Sequence, residues 1–122
     1  MKDRKQYEKW ANAVWERYRL KLHLTRHTNV TFKLKEEIDY MECSFRYPYL
    51  DNEIRYTTKV VKDFKKDKKN AERALVHEFC HILTDPLYDK AFDRFTGKKE
   101  LENERELLTD HLAGIFVELC KR

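Results

Sequence analysis

The 122 residues carry 26 Lys and Arg against 22 Asp and Glu, a formal net charge of +4 with neutral histidines. Charged residues make up 39%, apolar residues 41% and aromatics 13%, a balance that excludes a disordered chain and fits one folded domain over residues 1–122. Cys43, Cys80 and Cys120 are odd in number and lack C-x-x-C spacing, so neither a disulfide framework nor a zinc knuckle is expected.

No stretch approaches the roughly 18 apolar residues of a membrane span, and the first residues hold no apolar signal core. A cytoplasmic, reducing setting without a membrane partner is the expectation. The basic residues are scattered among acids except at residues 62–69, which read as a solvated face. That run is the weak support for a nucleic-acid partner.

Residues 4–20 place Tyr7, Trp10, Ala11, Val14, Trp15 and Tyr18 at helical spacing, the pattern of an amphipathic helix packed on the core. The period then changes. Val30, Phe32 and Leu34 alternate with polar residues as in a half-buried strand, and residues 38–47 and 54–60 read as second and third strands. Short links favour a mostly antiparallel three-stranded sheet. Residues 63–69 form a charged connector, Asn70 is the expected helix cap, and Pro86 is expected to stop that helix near Thr84 and Asp85. Residues 87–99 read as an irregular or partly helical loop. A last helix over residues 100–119 takes Leu107, Leu108, Leu112, Ile115, Phe116 and Leu119 as its apolar set.

The helix over residues 71–84 contains His77-Glu78-Phe79-Cys80-His81, an H-E-x-x-H motif. On a helix, i and i+4 lie on one side, with Cβ atoms about 5–6 Å apart. Two imidazoles so placed can share a metal ion, and the Glu after the first His can reach a water beside it. Leu75, Val76, Phe79, Cys80, Ile82 and Leu83 cover nearly the whole circumference, so the helix is expected at the centre of the core, with Cys80 as a small buried hydrophobe. Buried His and Glu are costly unless paired or metal-bound.

A catalytic zinc takes three protein ligands. The extended form with a Gly and a third His is absent, because Thr84 and Leu87 stand at those places. The last helix offers Glu106 and Asp110 at i and i+4, followed by the small Ala113 and Gly114 that would let two helices approach. Glu106 is the expected third ligand, and Asp110 the carboxylate that orients a ligand His. Glu102, Glu104 and His111 stay open as alternatives for the ligand.

His77-Glu78-Phe79-Cys80-His81, followed by Glu106-Leu107-Leu108-Thr109-Asp110, resembles the gluzincins, the thermolysin-like branch of zinc metallopeptidases. The order of elements is similar to minimal gluzincins and to small metallopeptidase-like proteins of phages and mobile elements. The resemblance implies an α+β zincin-like fold with an N-terminal helix, the sheet, a buried motif helix and a C-terminal ligand helix. It also implies Zn2+ on His77, His81 and Glu106, Glu78 as general base, Asp110 behind a ligand His, and a peptide or protein substrate. Larger members carry a His and a Tyr that stabilise the transition state on a second subdomain, for which this chain has no room. Tyr88 and His111 are the candidate donors here, with Tyr47 and Tyr56 as further tyrosines. The strand over residues 54–60 is the expected edge for an extended peptide. The competing classes are a metal-binding regulator or anti-defence protein of the same fold, and a DNA-associated protease resembling the Spartan-like family, whose members use three histidines.

Overall fold

The computed structural model describes residues 2–21, 29–46, 51–92 and 98–121. It is α+β, with helix α1 (Lys2–Lys21), strands β1 (Asn29–Leu34), β2 (Met41–Arg46) and β3 (Asp51–Tyr56), and helices α2 (Thr58–Lys66), α3 (Lys68–Phe92) and α4 (Lys98–Leu119). Tyr47 lies outside the described residues.

The sheet order is β1-β3-β2, with β3 parallel to β1 and antiparallel to β2. The expected mostly antiparallel sheet is therefore mixed. Six residues, 35–40, link β1 to β2 and reach about 20 Å when extended, enough to step over the ~10 Å that two strand spacings require. β3 fills that gap. Lys35 N donates to Tyr56 O at 2.9 Å and Thr57 N to Tyr40 O at 3.2 Å, so the ladder continues past both strand ends.

The third strand also stops four residues short of its expected end. Val60, Val61 and Phe64 are buried at helical spacing on α2, where adjacent Val60 and Val61 cannot share one face of a strand. Glu36 opens that helix: its carboxylate accepts from Thr58 N at 2.8 Å and from Thr58 Oγ1 at 2.6 Å. The connector expected at residues 63–69 is thus mostly helical.

Asp67, and not Asn70, caps α3. Its Oδ1 accepts from Lys69 N at 3.1 Å and Asn70 N at 3.2 Å, while Asn70 Nδ2 donates to Oδ2 at 2.8 Å. Pro86 does not end this helix, which continues to Phe92. A proline there removes one i→i−4 hydrogen bond, and the packing of α3 along α4 outweighs that loss.

The core lies between α1, the sheet and α3. Tyr7, Ala11, Val14, Trp15 and Tyr18 are buried on α1 as expected, and Trp10 is half-buried. Tyr7 meets Tyr56 at 4.9 Å between ring centroids, and Trp15 meets Phe79 edge-on at 5.0 Å. Leu75, Val76, Phe79, Cys80 and Ile82 are buried, so α3 is the central helix, while Leu83 is 41% exposed. α4 departs further from expectation. Leu107, Leu108, Ile115 and Leu119 are exposed, and the residues buried on this helix are Thr109 and Ala113. α4 meets α3 through this small pair, with Thr84 and Thr109 sharing a hydroxyl hydrogen bond at 3.0 Å. Gly114 has a different use from the expected close approach of helices: a Cβ there would lie 3.3 Å from Arg73 Nη2, so the glycine makes room for a guanidinium.

Candidate metal centre

His77, Glu78 and His81 present donor atoms that all lie within 4.8 Å of one another. One turn of α3 produces this cluster, as the i, i+4 spacing dictates. α4 then brings Glu106 across the gap. Its Oε1 lies 3.4 Å from His77 Nε2 and its Oε2 lies 3.2 Å from His81 Nε2. The two imidazoles therefore turn their Nε2 atoms to the same carboxylate.

Their other nitrogens also face carboxylates. His77 Nδ1 lies 3.6 Å from Asp110 Oδ1, and His81 Nδ1 lies 2.9 Å from Asp85 Oδ1. The structure thus brings Asp110 beside His77, at ion-pair and not hydrogen-bond distance. Asp85 is the partner that sequence reasoning missed. Its signal is present, four residues after His81 on the same helix, but an assumed helix stop at Pro86 conceals it. Outside these carboxylates lie two arginines: Arg73 Nη2 is 4.0 Å from Asp110 Oδ2, and Arg105 Nη1 is 4.0 Å from Asp85 Oδ1.

Glu78 is 7% exposed. Burial, with Glu106, Asp85 and Glu42 nearby, pushes its carboxyl up to about 8 despite the opposing pull of His81. Burial lowers the pKa of His81, but its hydrogen bond to Asp85 and that group's charge outweigh this, so the net shift is upward. The donor chemistry fits a divalent cation. Three carboxylates (Asp85, Glu106, Asp110) against two guanidiniums (Arg73, Arg105) leave one negative charge when the imidazoles are neutral, and ionisation of Glu78 adds a second. Two imidazoles and a carboxylate are a ligand set that suits zinc.

The other candidates lie elsewhere. Tyr88 donates to Glu102 at 3.5 Å and stacks under Arg105, whose Cζ is 4.1 Å from its ring centroid. His111 is exposed and borders a hollow with Leu107, Gly114 and Ile115, which adjoins at Arg73 and Asp110 the one that His77 and Glu78 line. Tyr56 is fully buried and donates to Glu8, away from the cluster. Glu102 also pairs with Lys98 at 4.0 Å, and Glu104 is exposed. Cys80 is 1% exposed in the core, with its thiol pushed up to about 12 by burial.

A hollow of about 340 Å³ opens beside the cluster, lined by Tyr40, Met41, Asn70, Arg73, Ala74, His77, Glu78 and Asp110. Tyr40 and Met41 belong to the start of β2. β3, the expected peptide edge, is the central strand and pairs on both sides. No helix among the described residues is long and apolar enough to cross a membrane. No family model matches the sequence, and no curated protein or solved structure matches it either.

Proposed function

We propose that this protein is a zinc-dependent metallopeptidase of the gluzincin type, with His77, His81 and Glu106 as metal ligands. The observation that carries this reading is the convergence of both Nε2 atoms on the Glu106 carboxylate while both Nδ1 atoms face carboxylates. Bound zinc would supply Lewis acidity, acidifying water toward a pKa of about 7, polarising a carbonyl and favouring the ionised form of Glu78.

The residues divide the remaining work. Asp85 accepts the Nδ1 proton of His81, which fixes the tautomer that leaves its Nε2 lone pair for a ligand, and the Asp110 charge 3.6 Å from His77 Nδ1 favours the same tautomer there. Glu78 accepts a proton as water attacks the peptide carbonyl, and returns it to the amine nitrogen as the C–N bond breaks. Its buried position keeps that carboxylate beside the hollow and away from bulk water. An extended peptide would lie along β2, whose first residue borders the hollow and whose one strand partner among the described residues is β3.

Replacing Glu78 by Gln separates catalysis from binding. The variant is expected to hold zinc as the parent does while hydrolysis of a casein or peptide-library substrate falls about 10²–10⁴-fold. Full hydrolysis by the Gln variant would refute the peptidase mechanism. Zinc binding in both proteins, with no cleavage by either, would favour the metal-binding regulator instead.

A further inference from the structure

Arg105 precedes Glu106 on α4, yet its side chain folds back over the site. Its Nη1 is 4.0 Å from Asp85 Oδ1 and its Nε is 3.4 Å from Glu106 Oε2. The guanidinium lies 4.1 Å over the Tyr88 ring, and the side chain is 26% exposed. The Nε atom is buried and lacks an aligned hydrogen-bond acceptor, although the Glu106 oxygen is close. A buried donor in that state favours any small movement of Glu106 that supplies the missing alignment.

We infer that Arg105 is a positioning residue for the metal centre, holding the ligand Glu106 and the His81-orienting Asp85 in register with each other. The inference rests on His77, His81 and Glu106 being the zinc ligands. Glu106 is half exposed on one helix, while the imidazoles it must meet belong to another. A flexible carboxylate so placed loses side-chain freedom on binding a metal, and a neighbour that already restricts it reduces that loss. Arg105, like the ligand His81 itself, is close to carboxylates from both helices: Asp85 comes from α3 and Glu106 from α4. Its planar fork suits two carboxylates at once, and Tyr88 limits where the plane can go.

The sign of the effect distinguishes positioning from simple charge. A guanidinium beside a divalent cation repels it, so removal of a mere bystander would leave zinc affinity unchanged or strengthen it. Removal of a positioning residue weakens it.

The test measures zinc dissociation constants on the full chain by competition with a chelator, with far-UV circular dichroism confirming the fold. Arg105→Ala is expected to bind zinc about ten- to hundredfold more weakly. In an Asp85→Asn background the further loss from Arg105→Ala is expected to shrink, because one of the two groups it holds has been neutralised. If Arg105→Ala fails to fold, Arg105→Gln, which keeps the aliphatic stem but is shorter and uncharged, is expected to show a loss of the same sign. Zinc affinity equal to or above the parent in the folded variant would overturn the inference and leave the metal centre standing. Absence of zinc binding by the parent would remove both.

Discussion

Glu78 has the least favourable electrostatic position of the cluster when no cation is present. Its carboxyl titrates at about 8 in the fold, against 4.5 when unperturbed, so between those values the folded metal-free chain retains a proton that the unfolded chain has released. Stability then falls as pH rises, by up to about 1.4 kcal/mol per pH unit within that window. His81, whose pKa is also raised, contributes in the same direction as pH climbs above 6.5. Metal-free protein is therefore expected to resist urea better at pH 5.5 than at pH 8, with Glu78→Gln showing a smaller difference. An equal difference in the two proteins would show that Glu78 is not its source. The same residues mark how much of the site the sequence reveals. His77, Glu78 and His81 are legible because helical period converts spacing into proximity, and Glu106 because a second i, i+4 pair follows on a later helix. Asp85 was hidden by a local rule about proline that tertiary packing overrides.

Among the elements, α1, the three strands, α3 and α4 are recognisable from periodicity, whereas α2 and the element ends are not. The β-branched residues at the end of the expected strand 54–60 read as strand until Val60, Val61 and Phe64 are seen buried at helical intervals. The parallel pairing of β1 with β3 is invisible locally, because the six-residue link fits either a hairpin or a gap that a later strand fills. Helix capping gives a quantitative check. Asp67 accepts two backbone N–H bonds at the start of α3, whereas Asn70, the expected cap, only donates to Asp67. Asp67→Ala is expected to lower stability by about 1 kcal/mol in urea unfolding, and Asn70→Ala by distinctly less. The reverse order would contradict the assigned cap.

Across the whole molecule, the core and the site divide α3 between them. One side carries Leu75, Val76 and Phe79 into the core, where Phe79 meets Trp15 and Tyr18 of α1, and the other turns His77 and His81 to α4. α4 is only partly anchored by apolar burial: Leu107, Leu108, Ile115 and Leu119 remain exposed, Leu112, Phe116 and Val117 are half-buried against the core, and Thr109 and Ala113 are its fully buried contacts. Its carboxylate Glu106 would therefore tie it to α3 through a shared cation, and metal binding would stabilise the fold by about 2.7 kcal/mol at a free concentration 100 times Kd. Zinc analysis of the purified protein beside Glu106→Ala, with thermal unfolding of each, tests this most directly. The predicted result is one zinc per chain and a higher Tm with metal in the parent, and loss of most of both in Glu106→Ala. No zinc in the parent, or undiminished stoichiometric zinc in Glu106→Ala, would contradict it.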